Sequence, residues 1–475
     1  MDAILELNSS ELAYIGRKLV NPHKIIIHPG ITVVIGPNGS GKSTLGKIIA
    51  KGRNMAMNNI QACKPDFHVR MIEFGDIHTL TDKKVTYHQQ RYESSMNDEV
   101  LSVRDYFGNI CKRERWQELS RILRINDIED KKINYLSSGE TRKLLITHSL
   151  SESNPDLLII DNPFIGLDQH ARLALEEMFE RLKKEGLSIL LLVCDTSDIP
   201  KNADYLLPIT NLCLGEMIDL KVAGSFNQDV FKTLFVYEIN KNNIPLSSTR
   251  RVGKKGDVIV EMKNVSVKYG GKPVVKNVDW IIKRGDRWIL SGSNGSGKST
   301  LLSLIHADNP QAYSNDVELF GRKRGTGESI WDIKKNIGYI SSEMHLYFGG
   351  GSETALDVIA RGQNDTVGSY IRLTEKQRSN AFRWVELLKL THLADRRFNT
   401  LSDGEQRLIL LARAFIKNPD LIILDEPMHG LDEGRKKAVT TIIKALIDKD
   451  DSTVVFVTHC PEEVPDNFDK LLHLN

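Results

Sequence analysis

The sequence predicts an α/β protein of two tandem domains, each built on a mostly parallel β-sheet with helices over both faces. Three observations predict it. At 475 residues the chain is long for one core and comfortable for two of about 200 residues each. It repeats itself: IGPNGSGKST (35–44) and SGSNGSGKST (291–300) are copies, as are LSSGE (136–140) and LSDGE (401–405), and LLIIDNPFIGLD (157–168) and LIILDEPMHGLD (421–432). Finally, runs such as ITVVIG (31–36), LSILLLVC (187–194), DRWILSG (286–292) and STVVFVTH (452–459) are largely apolar and alternate with helical stretches. Strands read that way when crossover helices bury both faces of a parallel sheet.

The register of the repeat sets the domain bounds. Lys42 and Lys298 lie 256 residues apart, the two LS-x-GE segments 265, and Asp161 and Asp425 264. One insertion of about nine residues between the first and second landmarks brings the copies into line. The reading is a first domain over 1–215, a linker over 216–256 and a second domain over 257–475. The linker ends STRRVGKKGD, with charge and glycine but little apolar alternation.

Composition weighs against several classes without excluding a nucleic-acid partner. Lys plus Arg number 64 against 62 Asp plus Glu, so no basic excess signals a nucleic-acid partner. The five cysteines, Cys63, Cys111, Cys194, Cys213 and Cys460, form no C-x-x-C pair, which argues against a disulfide framework or a zinc site and for a reducing setting. The start MDAILELNSSELAYIG lacks a signal peptide's basic head and apolar core, and LSILLLVC is far short of the ~20 residues of a membrane span. The expectation is a soluble cytoplasmic protein, peripheral on the inner face of the membrane only through a partner.

Both glycine-rich copies satisfy G-x-x-x-x-G-K-[ST], through Gly36, Gly41, Lys42 and Ser43 and through Gly292, Gly297, Lys298 and Ser299. Glycines let backbone N–H groups close around phosphate oxygens, the lysine reaches the outer phosphates, and the hydroxyl can ligate Mg²⁺. Each copy follows a strand and opens a helix, whose N-terminus adds anion affinity. Asn38, Gly39, Ser40 and Thr44, with Asn294, Gly295, Ser296 and Thr300, complete the two expected nucleotide-binding loops. Asp161 and Asp425 end four-residue apolar runs. A carboxylate at the sheet's C-terminal edge beside a phosphate loop is where a Mg²⁺-organising aspartate belongs, together with Ser43 and Ser299; taken singly, such an aspartate would be a helix cap.

LSSGE and LSDGEQR, lying between phosphate loop and acidic strand, resemble the signature of ATP-binding-cassette (ABC) ATPases, a P-loop NTPase family, and the GLD triplets at 166–168 and 430–432 resemble its D-loop. The resemblance implies ATP and Mg²⁺ as cofactors, a helical subdomain carrying the signature in each copy, and pairing of the two cassettes within the chain. The signature of one cassette then completes the other's site, which assigns nucleotide contacts to Ser137, Gly139, Ser402 and Gly404. Tyr14 and Tyr269, each 16 residues before the glycine preceding its phosphate-loop strand (Gly30, Gly285), look like the family's adenine-stacking aromatic, with a core tyrosine as the alternative. Glu426 falls at the catalytic position, where a carboxylate polarises the attacking water, and His459 at the switch-histidine position; Lys298 serves with them. The aligned residues of the first copy are Asn162 and Asp195, which can neither accept that proton nor act as the histidine. Loss of a general base typically costs about 10²–10⁴-fold. The resemblance thus implies one hydrolytic site, using Lys298, Ser299, Asp425, Glu426 and His459 with Ser137 and Gly139, and one that mainly binds; neutral drift is the bland alternative.

The family's glutamine has no clear counterpart: Gln89, Gln90 and Asp76 compete in the first copy, and Ser342 or Glu343 stands there in the second. The stretch YSNDVELFGRKRGTGESIWDIKKNIGYISSEMHLYF (313–348) resembles the ModF group of molybdenum-transport ATP-binding proteins, also called photorepair-protein homologues. That implies an ATP-binding component of a transporter for molybdate or a related oxyanion, with a membrane permease as partner. A ribosome-associated, non-transport switch remains the competing class, and no residue names the substrate.

Overall fold

A computed structural model describes residues 3–51, 60–73, 101–133, 136, 138–165, 167, 169–222, 233–245, 254–269, 272–293, 295–341, 344, 352–365, 372–450, 452–458 and 461–474. The chain divides into two compact units, the first built mainly from residues up to Val236 and the second mainly from Tyr237 onward. That division falls within the stretch expected as linker, whose beginning belongs to the first unit: Ile218 and Asp219 pair antiparallel with Leu206 and Tyr205.

In the first unit the elements that position a site are β1 (Ile31–Ile35), α1 (Lys42–Ala50), β2 (Val69–Ile72), α2 (Ser138–Glu152), β3 (Leu157–Asp161), α3 (Gln169–Lys184), β4 (Ser188–Val193) and β5 (Tyr205–Thr210). The strands run in the order β2-β3-β4-β1-β5, all parallel. Every residue of β1 and β4 is buried, as uninterrupted apolar runs require in a sheet covered on both faces. Alternation sorts the core into two layers. Val34, Ile159, Leu190 and Leu192 pack with Leu45, Ile48 and Ile49 of α1, whereas Val33, Leu158, Ile160 and Leu191 pack with Leu144, Ile146, Leu175 and Phe179 of α2 and α3.

The second unit opens with a long hairpin, β6 (Val258–Tyr269) and β7 (Lys272–Lys283). It continues with β8 (Arg287–Gly292), α4 (Lys298–Ile305), β9 (Ile337–Ile340), α5 (Ala355–Arg361), α6 (Glu375–Leu387), α7 (Asp403–Phe415), β10 (Leu421–Asp425), α8 (Glu433–Asp450), β11 (Thr453–Val457) and β12 (Lys470–Leu474). Its parallel sheet runs β9-β10-β11-β8-β12, the same order as the first with each strand replaced by its repeat partner. Helices α5, α6 and α7 pack on one another as a helical layer. Local chemistry starts each helix of that layer. Thr354 caps α5 through the Asp357 N–H, Thr374 and Gln377 form a capping box on α6, and at α7 the Glu405 carboxylate reaches back to the Ser402 N–H at 2.8 Å. The expected α/β fold of two tandem P-loop domains is thus the observed one. No helix among the described residues is long and apolar enough to cross a membrane.

Candidate functional site

Each unit carries one candidate site at the C-terminal edge of its parallel sheet, where loops leave the strand ends. The phosphate loops are built alike. Gly41 (φ 108°) and Gly297 (φ 92°) stand just before α1 and α4 in the left-handed region, which a side chain would strain. At Gly36 the obstacle is the neighbouring backbone, since a Cβ would lie 2.0 Å from the Ile209 carbonyl oxygen; at Gly292 it would lie 2.4 Å from that of Leu474. Each lysine lies across its own loop: Lys42 Nζ donates to the Gly36 and Pro37 carbonyls at 2.7 and 2.8 Å, and Lys298 Nζ to those of Gly292 and Ser293 at 2.8 and 2.9 Å. Both ammonium groups are therefore held at the mouth of a helix N-terminus, the arrangement that suits an anion.

The strand-end aspartates meet the loop hydroxyls as expected. Ser299 Oγ donates to Asp425 Oδ2 at 3.2 Å. In the first unit burial pushes the Asp161 carboxyl above its ordinary pKa, while hydrogen bonding from Ser43 and the charges of Lys42 and Lys47 pull it down. Asp161 Oδ1 is buried and has no hydrogen-bond partner among the described residues. A serine hydroxyl and an aspartate carboxylate are hard oxygen donors, and they fit a Mg²⁺ ion that keeps most of its waters and bridges to phosphate.

The residues after those aspartates share one backbone and differ in chemistry. Asn162 and Glu426 both sit at φ 51°. The Asn162 N–H donates to Leu192 O at 2.9 Å, and the Glu426 N–H to Val457 O at 2.9 Å. Left-handed backbone is uncommon for glutamate and well tolerated by asparagine. The turn after Asp425 is held by Arg407 on α7, a side chain absent from the expected site. Its buried guanidinium donates to Ser341 O at 2.6 Å, to Asp425 O and Pro427 O at 3.4 Å each, and to Glu426 O. Burial pushes its pKa down to about 10. The signal was present in the sequence, because LSSGETR and LSDGEQR carry an arginine at the same place. His429 Nδ1 lies 3.9 Å from Glu426 Oε2.

The strand register corrects the expected counterpart of His459: Leu157 pairs with Ser188 where Leu421 pairs with Thr453, which puts Cys194 and not Asp195 at the switch position of the first unit. Asp195, one residue on, folds onto its own turn, Oδ1 accepting from the Ser197 N–H at 2.9 Å and from the Ser197 hydroxyl at 2.7 Å. His459, Ser137 and Asn294 lie outside the described residues, as do Gly166 and Asp168 of the first GLD triplet and the competing glutamine-position residues Asp76, Gln89, Gln90, Ser342 and Glu343. Ser402 and Gly404 stand at the start of α7. The tyrosines end their hairpins. Tyr14 packs on the α1-side core and its hydroxyl meets Lys51 Nζ at 2.6 Å, while Tyr269 packs on the second core and its hydroxyl accepts from Asn309 Nδ2 at 2.9 Å. Each ring therefore has a structural role of its own.

Two phosphate loops that each open a helix, each paired with an aspartate at the end of a buried parallel strand, define a tandem P-loop nucleotide-binding protein. The model of the ABC transporter family matches residues 21–165 and 275–429, and the chain belongs to that family. It is 33% identical over 443 residues to the ABC transporter ATP-binding protein ModF of Escherichia coli, covering 91% of this chain and 88% of that one. It is 26% identical over 460 residues to an uncharacterized ABC transporter ATP-binding protein of Schizosaccharomyces pombe, covering 93% and 91%. Among solved structures, an archaeal ribosome recycling factor, aABCE1, crystallised with the ribosomal stalk protein aP1, covers 98% of this chain and 87% of its own at 19% identity and a TM-score of 0.54. That likeness is one of fold.

Proposed function

We propose that the protein is a Mg²⁺-dependent ATPase of asymmetric design, in which the site of the second unit hydrolyses ATP and that of the first binds it. The observation that carries this reading is the exchange of Asn162 for Glu426 on one backbone geometry. In the second site Glu426 takes a proton from water as the water oxygen bonds to the γ-phosphorus and the bond to ADP breaks. Lys298 would hold the outer phosphates, and Ser299 and Asp425 would hold Mg²⁺, which would supply charge neutralisation there. His459 stands at the family's switch position, and Arg407 keeps the turn that carries Glu426 in place. In the first site Lys42, Ser43 and Asp161 supply the same binding groups, but Asn162 has no basic oxygen to accept the proton.

At the level of the cell, similarity to the ABC transporter ATP-binding protein ModF supports an ATP-binding component of a transporter; molybdate or a related oxyanion as cargo and a membrane permease as partner extend that proposal. The test of the ATPase reading is steady-state hydrolysis by the full chain. Lys298→Ala is expected to bring turnover to background and Lys42→Ala to lower it only in part; equal losses would contradict the asymmetry. Affinity capture with the Glu426→Gln chain in ATP tests the cellular role. Recovery of a membrane permease supports transport, and recovery of ribosomal proteins alone would overturn it.

A further inference from the structure

The two sites differ at a second place, where two residues in contact change together. Lys47 lies one helical turn beyond Ser43 on the same face of α1. Its Nζ is 2.7 Å from Glu73 Oε2, at the end of β2. Strand register places Glu73 beside Asp161, because Ile72 pairs with Ile160 across the parallel β2–β3 ladder. Both carboxylates face α1: Val69, Met71 and Ile159 pack on the α1-side core, a Cβ built on Gly46 of α1 would lie 3.0 Å from Met71 Cε, and Glu73 and Asp161 each follow in the same alternation. In the second unit the corresponding residues are Ser303 on α4 and Ser341 after β9, whose Ile340 pairs with Leu424. Ser303 Oγ donates to the Thr300 carbonyl at 2.6 Å, and Ser341 Oγ is buried with no partner among the described residues. An ion pair in one copy thus stands where the other has two hydroxyls.

Both charged groups stand beside the proposed metal-binding carboxylate, Glu73 through the strand register and Lys47 through its ion pair with Glu73. Asp161 Oδ1, buried and without a partner among the described residues, is the atom in that cluster that calls for a cation. Lys47 and Glu73 are each about one-third exposed, which leaves room for the waters that Mg²⁺ retains.

We propose that Lys47 and Glu73 set the metal dependence of the first nucleotide site, Glu73 adding a second carboxylate beside Asp161 for a water of the bound Mg²⁺ and the Lys47 ammonium opposing the cation by its charge. The inference rests on the reading of the first unit as a nucleotide-binding site. It gives that unit a positive feature, retention of Mg²⁺–nucleotide, in addition to the missing base.

The test uses the full chain with Glu426→Gln and Lys298→Ala, so that hydrolysis is suppressed and bound ATP reports mainly the first site. The ratio of ATP affinity in Mg²⁺ to that in EDTA is then measured. A charge change next to a divalent ion in a partly exposed, salt-screened site corresponds to about a fivefold effect. Glu73→Gln is expected to lower the ratio about fivefold and Lys47→Met to raise it by a similar factor. The double variant that copies the second unit, Lys47→Ser with Glu73→Ser, is expected to fall between them. Opposite signs for the two single variants are the signature, because an ion pair serving packing alone would shift both the same way or leave the ratio unchanged, and either result overturns the proposal. A bound-nucleotide count near zero in the starting chain would instead overturn the first unit's nucleotide-binding role, and this inference with it.

Discussion

The two units have the same strand order, the same loop geometry and the same left-handed turn after the acidic strand, yet different side chains at the points where chemistry is done. Asn162 and Glu426 keep identical φ and equivalent 2.9 Å N–H bonds to the adjoining strand. Cys194 stands where the second copy has His459, and Asp195 after it caps its own turn. The difference teaches that one backbone geometry carries either an amide or a carboxylate at this place, which is what the proposed asymmetry requires. It also gives the exchange an energetic side. Glutamate in left-handed backbone carries strain of about 1 kcal/mol that asparagine largely avoids. The turn that carries Glu426 is therefore the strained one, and Arg407 fixes it through the carbonyls of Asp425, Glu426 and Pro427.

The largest effect that could break this comparison is on turnover. Asn162→Glu alone should restore little hydrolysis to a Glu426→Gln chain, because Cys194 still stands where the second copy has His459; recovery to half the parent rate would show that the first site needed only the carboxylate. Next, Tyr269→Ala should weaken nucleotide affinity about fivefold, the size of one lost stacking contact. Tyr269→Phe should leave it intact, since the ring is kept and the bond from Asn309 does not touch the base; unchanged affinity in Tyr269→Ala would assign the ring to the core alone. A smaller effect concerns the turn itself. Glu426→Asn should stabilise the second unit by about 1 kcal/mol in urea unfolding while removing turnover, and Asn162→Glu should destabilise the first by about as much. Smallest is a pH effect confined to the second unit. Burial pushes Lys417 down to about 8, whereas the aligned residue in the first unit is Ser153. Between that value and the ordinary lysine value near 10.5 the unfolded chain holds the extra proton, so Lys417 makes the second unit more stable as pH rises through that window. Lys417→Met should flatten that rise in a pH series of unfolding midpoints.

Much of the fold was legible because its signals are local. Uninterrupted apolar runs mark strands buried on both faces, glycines at fixed spacing mark a loop that no side chain could enter, and repetition of both gives the two units. The aspartates and Glu426 were legible for the same reason, since each follows directly on a buried strand. Arg407 was harder to see, because its role depends on carbonyls 18 to 20 residues and 66 residues away along the chain. The Lys47–Glu73 pair was invisible for a related reason. A lysine on a helix and a glutamate after a strand are ordinary in isolation, and only the register of β2 against β3 brings them together beside Asp161. The tyrosines show the opposite case, where spacing suggested a ligand contact and the structure adds packing and hydroxyl partners that spacing does not encode.

The most direct measurement of the central claim is single-turnover hydrolysis by the full Glu426→Gln chain, with the bound nucleotides counted in parallel. The account predicts that the chain retains ATP in both units while hydrolysis falls by about 10²-fold or more, because an amide keeps the shape of the carboxylate and cannot take the proton. Rapid hydrolysis at half the parent rate would show that the site with Asn162 is active, and would contradict it.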